Sequence, residues 1–271
     1  MKPVVLSARL GAVASMVTQG SRVCDVGCDH GFVSIYLIEQ KVSPYVVAMD
    51  VREGPLGAAE RHVSERKLEH YIETRLSDGL HNYKIGEAES LICAGMGGRL
   101  MMRILGKDRT KTDSFRELIL QPQSELEQFR AWLWEQGYRI TDEKMVEEDD
   151  KFYPMMRAVA AGEIKRPEDC AAREGDVSFV FSEFAEYAEQ YRIEKTKLCK
   201  LFCRYGACLL LRGDSTLRAY LKREERIYEE ILEQLRRQEG SCDKRKRRYA
   251  EVEALLGECR TAQEIMACNK R

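Results

Sequence analysis

The sequence predicts an α/β fold, a mostly parallel sheet with helices on both faces and an antiparallel pair of strands at one edge. Three observations predict it. Short apolar, β-rich runs alternate five times with stretches of helical spacing. Two strand-like runs then follow each other directly, as a hairpin does. Beyond about residue 165 the β signal fades and long helical spacing takes over. A chain of 271 residues holds one large domain or two smaller ones. The expected division is 1–165 for the sheet and 166–271 for the helices.

The elements follow in order. "MKPVVLSARLGAVASMV" is interrupted by Arg9, so it reads as an amphipathic helix with Leu6, Leu10, Val13 and Val17 on one side, not as a signal peptide. "RVCDV" (22–26) is a first strand, with helical spacing from about 31 to 40. "YVVAMD" (45–50) is a second, buried strand. Residues 53–68 read as a helix with Pro55 tolerated in its first turn. "YIETRL" (71–76) alternates as a third strand, and "SLICAG" (90–95) is a fourth ending in glycine. One basic helix is expected after it, carrying Arg99, Arg103, Lys107, Arg109 and Lys111. "ELILQP" (117–122) is a fifth strand stopped by Pro122, and 126–138 a helix closed by Gly137. "YRITDEKMVEED" and "KFYPMMRAVA" form the hairpin around the acidic turn Glu147–Asp150. Seven strands ending in a hairpin is the arrangement of the methyltransferase variant of the Rossmann sheet. In the second half, 182–202 reads as helix. Leu217, Leu221, Tyr228, Ile231 and Leu235 then face Tyr249, Val252, Leu256 and Cys259 in two helices broken at Gly240, an antiparallel coiled-coil hairpin with Glu224 as its polar intruder.

A net charge of -1 means that any polyanion must be held by a local patch. The ten cysteines, without a leader, are expected as free thiols in a reducing cytoplasm. Cys24/Cys28 and Cys199/Cys203 lack a nearby histidine, so no metal site is expected. No stretch is apolar enough to span a bilayer, so no membrane partner is expected.

Ligands of open parallel sheets sit beyond the carboxyl ends of the strands. The first strand exits into "DVGCDHGF", where a dinucleotide site would read G-x-G-x-x-G. Gly27 and Gly31 clear space for a ligand, but Asp29 and His30 stand where a second glycine would be. With Asp25, a carboxylate there repels a pyrophosphate and suits the sulfonium and ammonium of S-adenosyl-L-methionine. Asp50 ends the second strand, where a carboxylate holds ribose hydroxyls or caps the next helix. Asp78 and Gly79 end the third, at the level of an adenine amino group or as an ordinary turn. Gly95, Gly97 and Gly98 crowd the exit of the fourth, suiting close approach of a planar base or simply a flexible turn. No Asn-Pro-Pro-aromatic motif follows, which argues against methylation of an exocyclic amine. Arg99, Arg103 and Lys107 form one basic stripe, and Lys244–Arg248 a second basic run at an unfavourable helix N-terminus. Each reads as a phosphate contact or a solvated face. His62, His70 and His81 read as surface residues.

The blocks "LSARLGAVASMV", "DVGCDHGF", "AGMGGRLMMRIL", "LILQPQSELEQFRAWLWEQGYRI" and "EEDDKFYPMM" occur in order and resemble the bacterial tRNA (adenine-22 N1)-methyltransferase family over about residues 5–160. The resemblance implies a Rossmann-like domain with a C-terminal coiled coil, S-adenosyl-L-methionine as cofactor and tRNA as substrate. Its motifs fall on Gly27, Asp29 and His30, on Gly95, Met96, Gly97 and Gly98, and on Gln121 and Pro122. With the strand-end and basic-stripe readings, cofactor contacts are expected at Asp25, Gly27, Asp29, Asp50, Val51, Asp78, Gly79, Ala94, Gly95 and Met96. Substrate contacts are expected at Phe32, Gly97, Gly98, Arg99, Arg103, Lys107, Gln121 and Pro122, and Asp29 and His30 are the candidate catalytic residues. The family often carries tyrosine at Phe32, proline at Ser34 and glutamate at Asp50. Rival readings are a methyltransferase of the same fold acting on a protein or small molecule, a non-catalytic RNA-binding protein and, more distantly, a nicotinamide dehydrogenase. The sequence leaves the oligomeric state open, a monomer included.

Overall fold

The computed structural model describes residues 3–160, 185–237 and 243–268. The chain divides into two compact units, 1–179 and 180–271. The boundary expected at 165 lies outside the described residues.

The first unit runs α1 (Ala8–Ala14), β1 (Val23–Val26), α2 (Phe32–Glu39), β2 (Val46–Asp50), α3 (Glu53–Glu65), β3 (Ile72–Leu76), β4 (Ser90–Met96), α4 (Gly98–Lys107), α5 (Arg109–Thr112), β5 (Glu117–Pro122), α6 (Leu126–Glu135), β6 (Tyr138–Glu148) and β7 (Lys151–Ala160). The seven strands form one sheet in the order β3-β2-β1-β4-β5-β7-β6. The first five pair in parallel, and β7 enters antiparallel beside β5. The strand order therefore reverses between the parallel neighbours β1 and β4, the place where such sheets open a crevice at their carboxyl ends.

Side chains alternate across the sheet and fill two cores. Cys24, Val26, Leu91, Cys93, Leu118 and Leu120 pack with Met101 and Leu105 of α4 and Phe129 and Leu133 of α6. Val23, Val46, Ala48, Ile92 and Ile119 pack on the other face with Val13 of α1, Ile35 and Leu37 of α2 and Ala59 of α3. β1, β2 and β5 are buried along their whole length, which is why they read as continuous apolar runs. The hairpin turns at Asp149 and Asp150, both with φ near +50° to +58°, as a two-residue primed turn requires. α6 is pinned to β6 by the fully buried pair Arg130–Glu143, 2.8 Å apart.

The basic helix expected after β4 is broken. Asp108 leaves helical geometry and its side chain caps the short α5 through the Lys111 N–H. Arg109 and Lys111 consequently turn inward, to Gln136 and to the carbonyls of Leu80 and His81.

The second unit comprises α7 (Ala185–Tyr191), α8 (Lys195–Tyr205), α9 (Ala207–Arg212), α10 (Ser215–Arg237) and α11 (Asp243–Cys268). The helix expected over 182–202 breaks where Arg192 takes a φ of 55°. Residues 182–184 and the breaker Gly240 lie outside the described residues. α10 and α11 run antiparallel: Arg236 reaches the Tyr249 hydroxyl, Leu232 packs with Val252 and Leu256, and Arg260 pairs with Glu225 and Glu229. Leu232 is buried in this seam, and the expected Tyr228, Ile231 and Tyr249 pack against it. Glu224 is a polar hub that accepts from the hydroxyls of Tyr205, Tyr220 and Tyr228.

Candidate active site

The carboxyl ends of β1, β2, β3 and β4 open onto one cleft of about 540 Å³. Thirteen of the residues singled out in the sequence line it: Asp25, Gly27, Asp29, His30, Phe32, Asp50, Val51, Asp78, Gly79, Ala94, Gly95, Met96 and Arg103.

Gly27 follows β1 with a φ of +76°, the left-handed region a side chain resists. A Cβ there would stand 2.1 Å from the Met96 methyl, so Gly27 and Met96 share one close contact at the floor of the cleft. Asp29 is itself left-handed, at φ 51°. Its N–H donates to Asp50 Oδ2 at 3.2 Å, while the Arg52 N–H donates to Asp50 Oδ1 at 2.9 Å. These bonds fix the buried Asp50 carboxylate at the end of β2. The Asp29 carboxylate remains at the mouth, 3.6 Å from Arg52 and 3.9 Å from His30 Nε2. Asp78 pairs with Lys107 at 2.8 Å, and Lys107, with Arg103 behind it, holds that carboxyl below its usual range.

Asp25 is 4% exposed. Burial pushes its pKa up to about 6, the Ser34 hydroxyl opposes the rise, and Asp50 adds to it. The thiols of Cys24, Cys28 and Cys93 are pushed up by burial too, which leaves them protonated and unreactive.

Six of the named residues stand outside the cleft lining. Gly98 is a packing glycine: a Cβ would meet the Ser124 carbonyl oxygen at 2.5 Å, so the chain's own loop makes the close approach, not a ligand. Gly97 likewise faces the Ser124 hydroxyl. Gln121 and Pro122 are buried in β5. Gln121 acts through its neighbours, accepting from the Gly95 N–H at 3.2 Å and from Arg9 Nη1 at 2.9 Å. Arg99 is exposed and pairs with Glu125 at 3.5 Å. Lys107 lies beside a second hollow, which it shares with Asp78, His81 and Arg103.

The sequence reading missed Arg9, Cys28, Arg52, Ser77, Leu100, Ile104 and Gln123, all of which line the cleft. Arg9 had a signal, a charge interrupting an apolar helix. Its guanidinium lies over the Tyr153 ring, 5.4 Å from the centroid, and enters no ion pair among the described residues. His62, expected on the surface, stacks on Phe32 with centroids 4.9 Å apart. Its Nδ1 lies 3.0 Å from the His30 carbonyl oxygen, so that nitrogen carries the proton. Phe32 thus has one face backed by His62 and is 40% exposed at the cleft. The described residues hold no cluster of three metal-ligating side chains, and no described helix is long and apolar enough to cross a membrane.

This strand order, with acids and glycine turns at the ends of β1 to β4, defines a Rossmann-like methyltransferase. A family model described as "Methyltransferase domain" matches residues 6–156. The Bacillus subtilis (strain 168) tRNA (adenine(22)-N(1))-methyltransferase is 35% identical over 160 residues, which span 59% of this chain and 67% of that protein. The chain belongs to the tRNA (adenine(22)-N(1))-methyltransferase family, within the methyltransferase-domain proteins. Among solved structures, the B. subtilis m1A22 tRNA methyltransferase TrmK superposes with a TM-score of 0.73 at 26% identity, over 97% of this chain and 99% of that one. Streptococcus pneumoniae Sp1610 in complex with S-adenosyl-L-methionine superposes at 0.71 and 26% identity, over 97% and 100%.

Proposed function

We propose that the protein transfers the methyl group of S-adenosyl-L-methionine to N1 of an adenine in tRNA. The observation that carries this reading is the convergence of Asp25, Asp29, Asp50 and Asp78 on one glycine-floored cleft. Four carboxylates suit a donor bearing sulfonium and ammonium charges and disfavour a pyrophosphate. The tRNA and the adenine nitrogen come from the 35% identical relative.

When bound, the cofactor supplies an electrophilic methyl group on a cationic sulfur. Asp50 and Val51 take its ribose, and Asp78 and Gly79 its adenine. Asp25, Gly27, Asp29, Ala94, Gly95 and Met96 flank the methionine arm, with Arg9 as counter-charge to its carboxylate. Adenine N1 already carries a lone pair, so no strong base is needed and rate comes mainly from alignment. The methylated base is cationic. The Asp29 carboxylate at the cleft mouth stabilises the charge as it grows, and His30 beside it positions the reacting groups. The target base must leave its stack to present N1. Phe32 offers it a ring.

The helical unit, residues 166–271 on this reading, acts as an antiparallel coiled coil that grips tRNA through Lys244–Arg248. Arg99, Arg103 and Lys107, on the helix that follows β4, track phosphates too. A tRNA substrate supports a cytoplasmic location. Nucleoside mass spectrometry of tRNA incubated with the protein and labelled cofactor tests the reading. N1-methyladenosine carrying the label is expected. Label in another nucleoside, or in protein alone, would reject it.

A further inference from the structure

We propose that Ser34 is a positioning residue of the cofactor cleft, its hydroxyl holding the Asp25 side chain as an ionised carboxylate toward the positively charged arm of S-adenosyl-L-methionine. The inference rests on the cofactor reading above and deepens it.

Asp25 lies within β1, one residue before its end, and lines the cleft, yet is almost wholly buried. Ser34 sits in the first turns of α2, is fully buried, and donates from Oγ to Asp25 Oδ2 at 2.7 Å. Among the described residues no other donor reaches the Asp25 carboxylate. The groups around it give no help with its charge. Asp50 acts on it from β2, and Cys28 of the turn, Cys93 of β4 and Cys24 of β1, whose thiols its charge helps to raise, are protonated. A buried carboxylate beside a second acid favours its proton, and a hydrogen bond to the ionised form opposes that. Ser34 supplies the bond. Without it Asp25 would be substantially protonated near neutrality, and the base of the cleft would lose a negative charge that a cationic ligand would use.

The test is calorimetric binding to the full-length protein from about pH 5 to about pH 8.5, bracketing the range in which such a carboxyl titrates. The ligands are S-adenosyl-L-methionine and 5′-methylthioadenosine, a neutral analogue without the charged arm. The chains are the wild type, Ser34→Ala, Ser34→Thr and Asp25→Asn. The Asp25 side-chain carbon is followed by NMR in the cofactor-free protein. In the wild type, affinity for S-adenosyl-L-methionine is expected to fall as pH drops through about 6, following the Asp25 signal. In Ser34→Ala the break moves up by about one unit, so binding is about two-fold weaker at pH 7, weaker still toward pH 6, and equal at the alkaline end. Ser34→Thr keeps the hydroxyl and the wild-type break. Asp25→Asn binds weakly with no break, and methylthioadenosine follows none of these changes.

A Ser34→Ala chain with the wild-type profile overturns the inference, as does equal loss of both ligands at every pH. Should Ser34→Ala fail to fold, Ser34→Cys, which keeps the size and loses the strong donor, takes its place: the same upward move of the break is expected, and a wild-type profile overturns the inference. A wild type that binds S-adenosyl-L-methionine without the break overturns this inference alone. A wild type that binds neither ligand overturns the cofactor reading with it.

Discussion

Asp25 sets function against stability. An unfolded aspartate titrates near pH ~4, whereas in the fold this one titrates at about 6 because it is buried. Between those values the folded chain holds the extra proton, so stability falls as pH rises through the window and is flat above it. The loss is about 3 kcal/mol. Asp25→Asn removes that loss, so thermal unfolding above pH 6 should show it more stable than the wild type, with the two converging in acid. Gly27→Ala acts the other way. It forces a side chain into a left-handed φ and against the Met96 methyl, and should cost about 1–2 kcal/mol and weaken cofactor binding. Asp29→Ala should lower kcat at saturating cofactor about 10-fold or more if its charge stabilises the product base; unchanged turnover would remove Asp29 from the mechanism. The acids of this site were legible because each stands at the end of a strand that the sequence already delimits. Arg9 and Gln121 were harder to read. Arg9 reaches the cleft from a helix 112 residues away from its partner, and Gln121 acts by holding Arg9 and Gly95, a role that no local pattern encodes.

The sheet was readable strand by strand because central parallel strands are apolar throughout and their breakers are glycines, prolines and acids. Helix ends were less so. Propensity carries the basic helix straight through residue 108, but Asp108 caps a new turn there and redirects Arg109 and Lys111 inward. The Arg130–Glu143 pair between α6 and β6 was invisible too, since two charges thirteen residues apart carry no sign of burial. Removing one partner leaves the other charged and buried. Arg130→Met should therefore cost about 3–5 kcal/mol in denaturant unfolding, and the double change Arg130→Met with Glu143→Leu should recover most of it. A double variant no more stable than the single would mean that the pair itself stabilises the fold.

At the scale of the whole molecule, a net charge of -1 gives no general attraction to RNA, so binding must come from particular cations. Changing Lys244, Lys246 and Arg247 together to glutamate should raise KM for tRNA and flatten the dependence of log Kd on log salt by about three units of slope at most. Affinity for S-adenosyl-L-methionine should not move. An unaltered salt slope would leave the helical hairpin without a part in RNA binding. The two antiparallel helices of that hairpin were readable from the three- and four-residue steps of their apolar positions, whereas the partnering of Glu224 with three tyrosines was not, because polar hubs have no period. Arg9 is moored by its backbone to Glu148 and by its side chain to Gln121, residues translated 139 and 112 positions after it. A chain still threading out of the ribosome thus displays its glycine turn long before Arg9 has the two residues that moor it. Capture of the methyl donor belongs to the finished domain, and nascent chains arrested ahead of the last hairpin should leave it in solution.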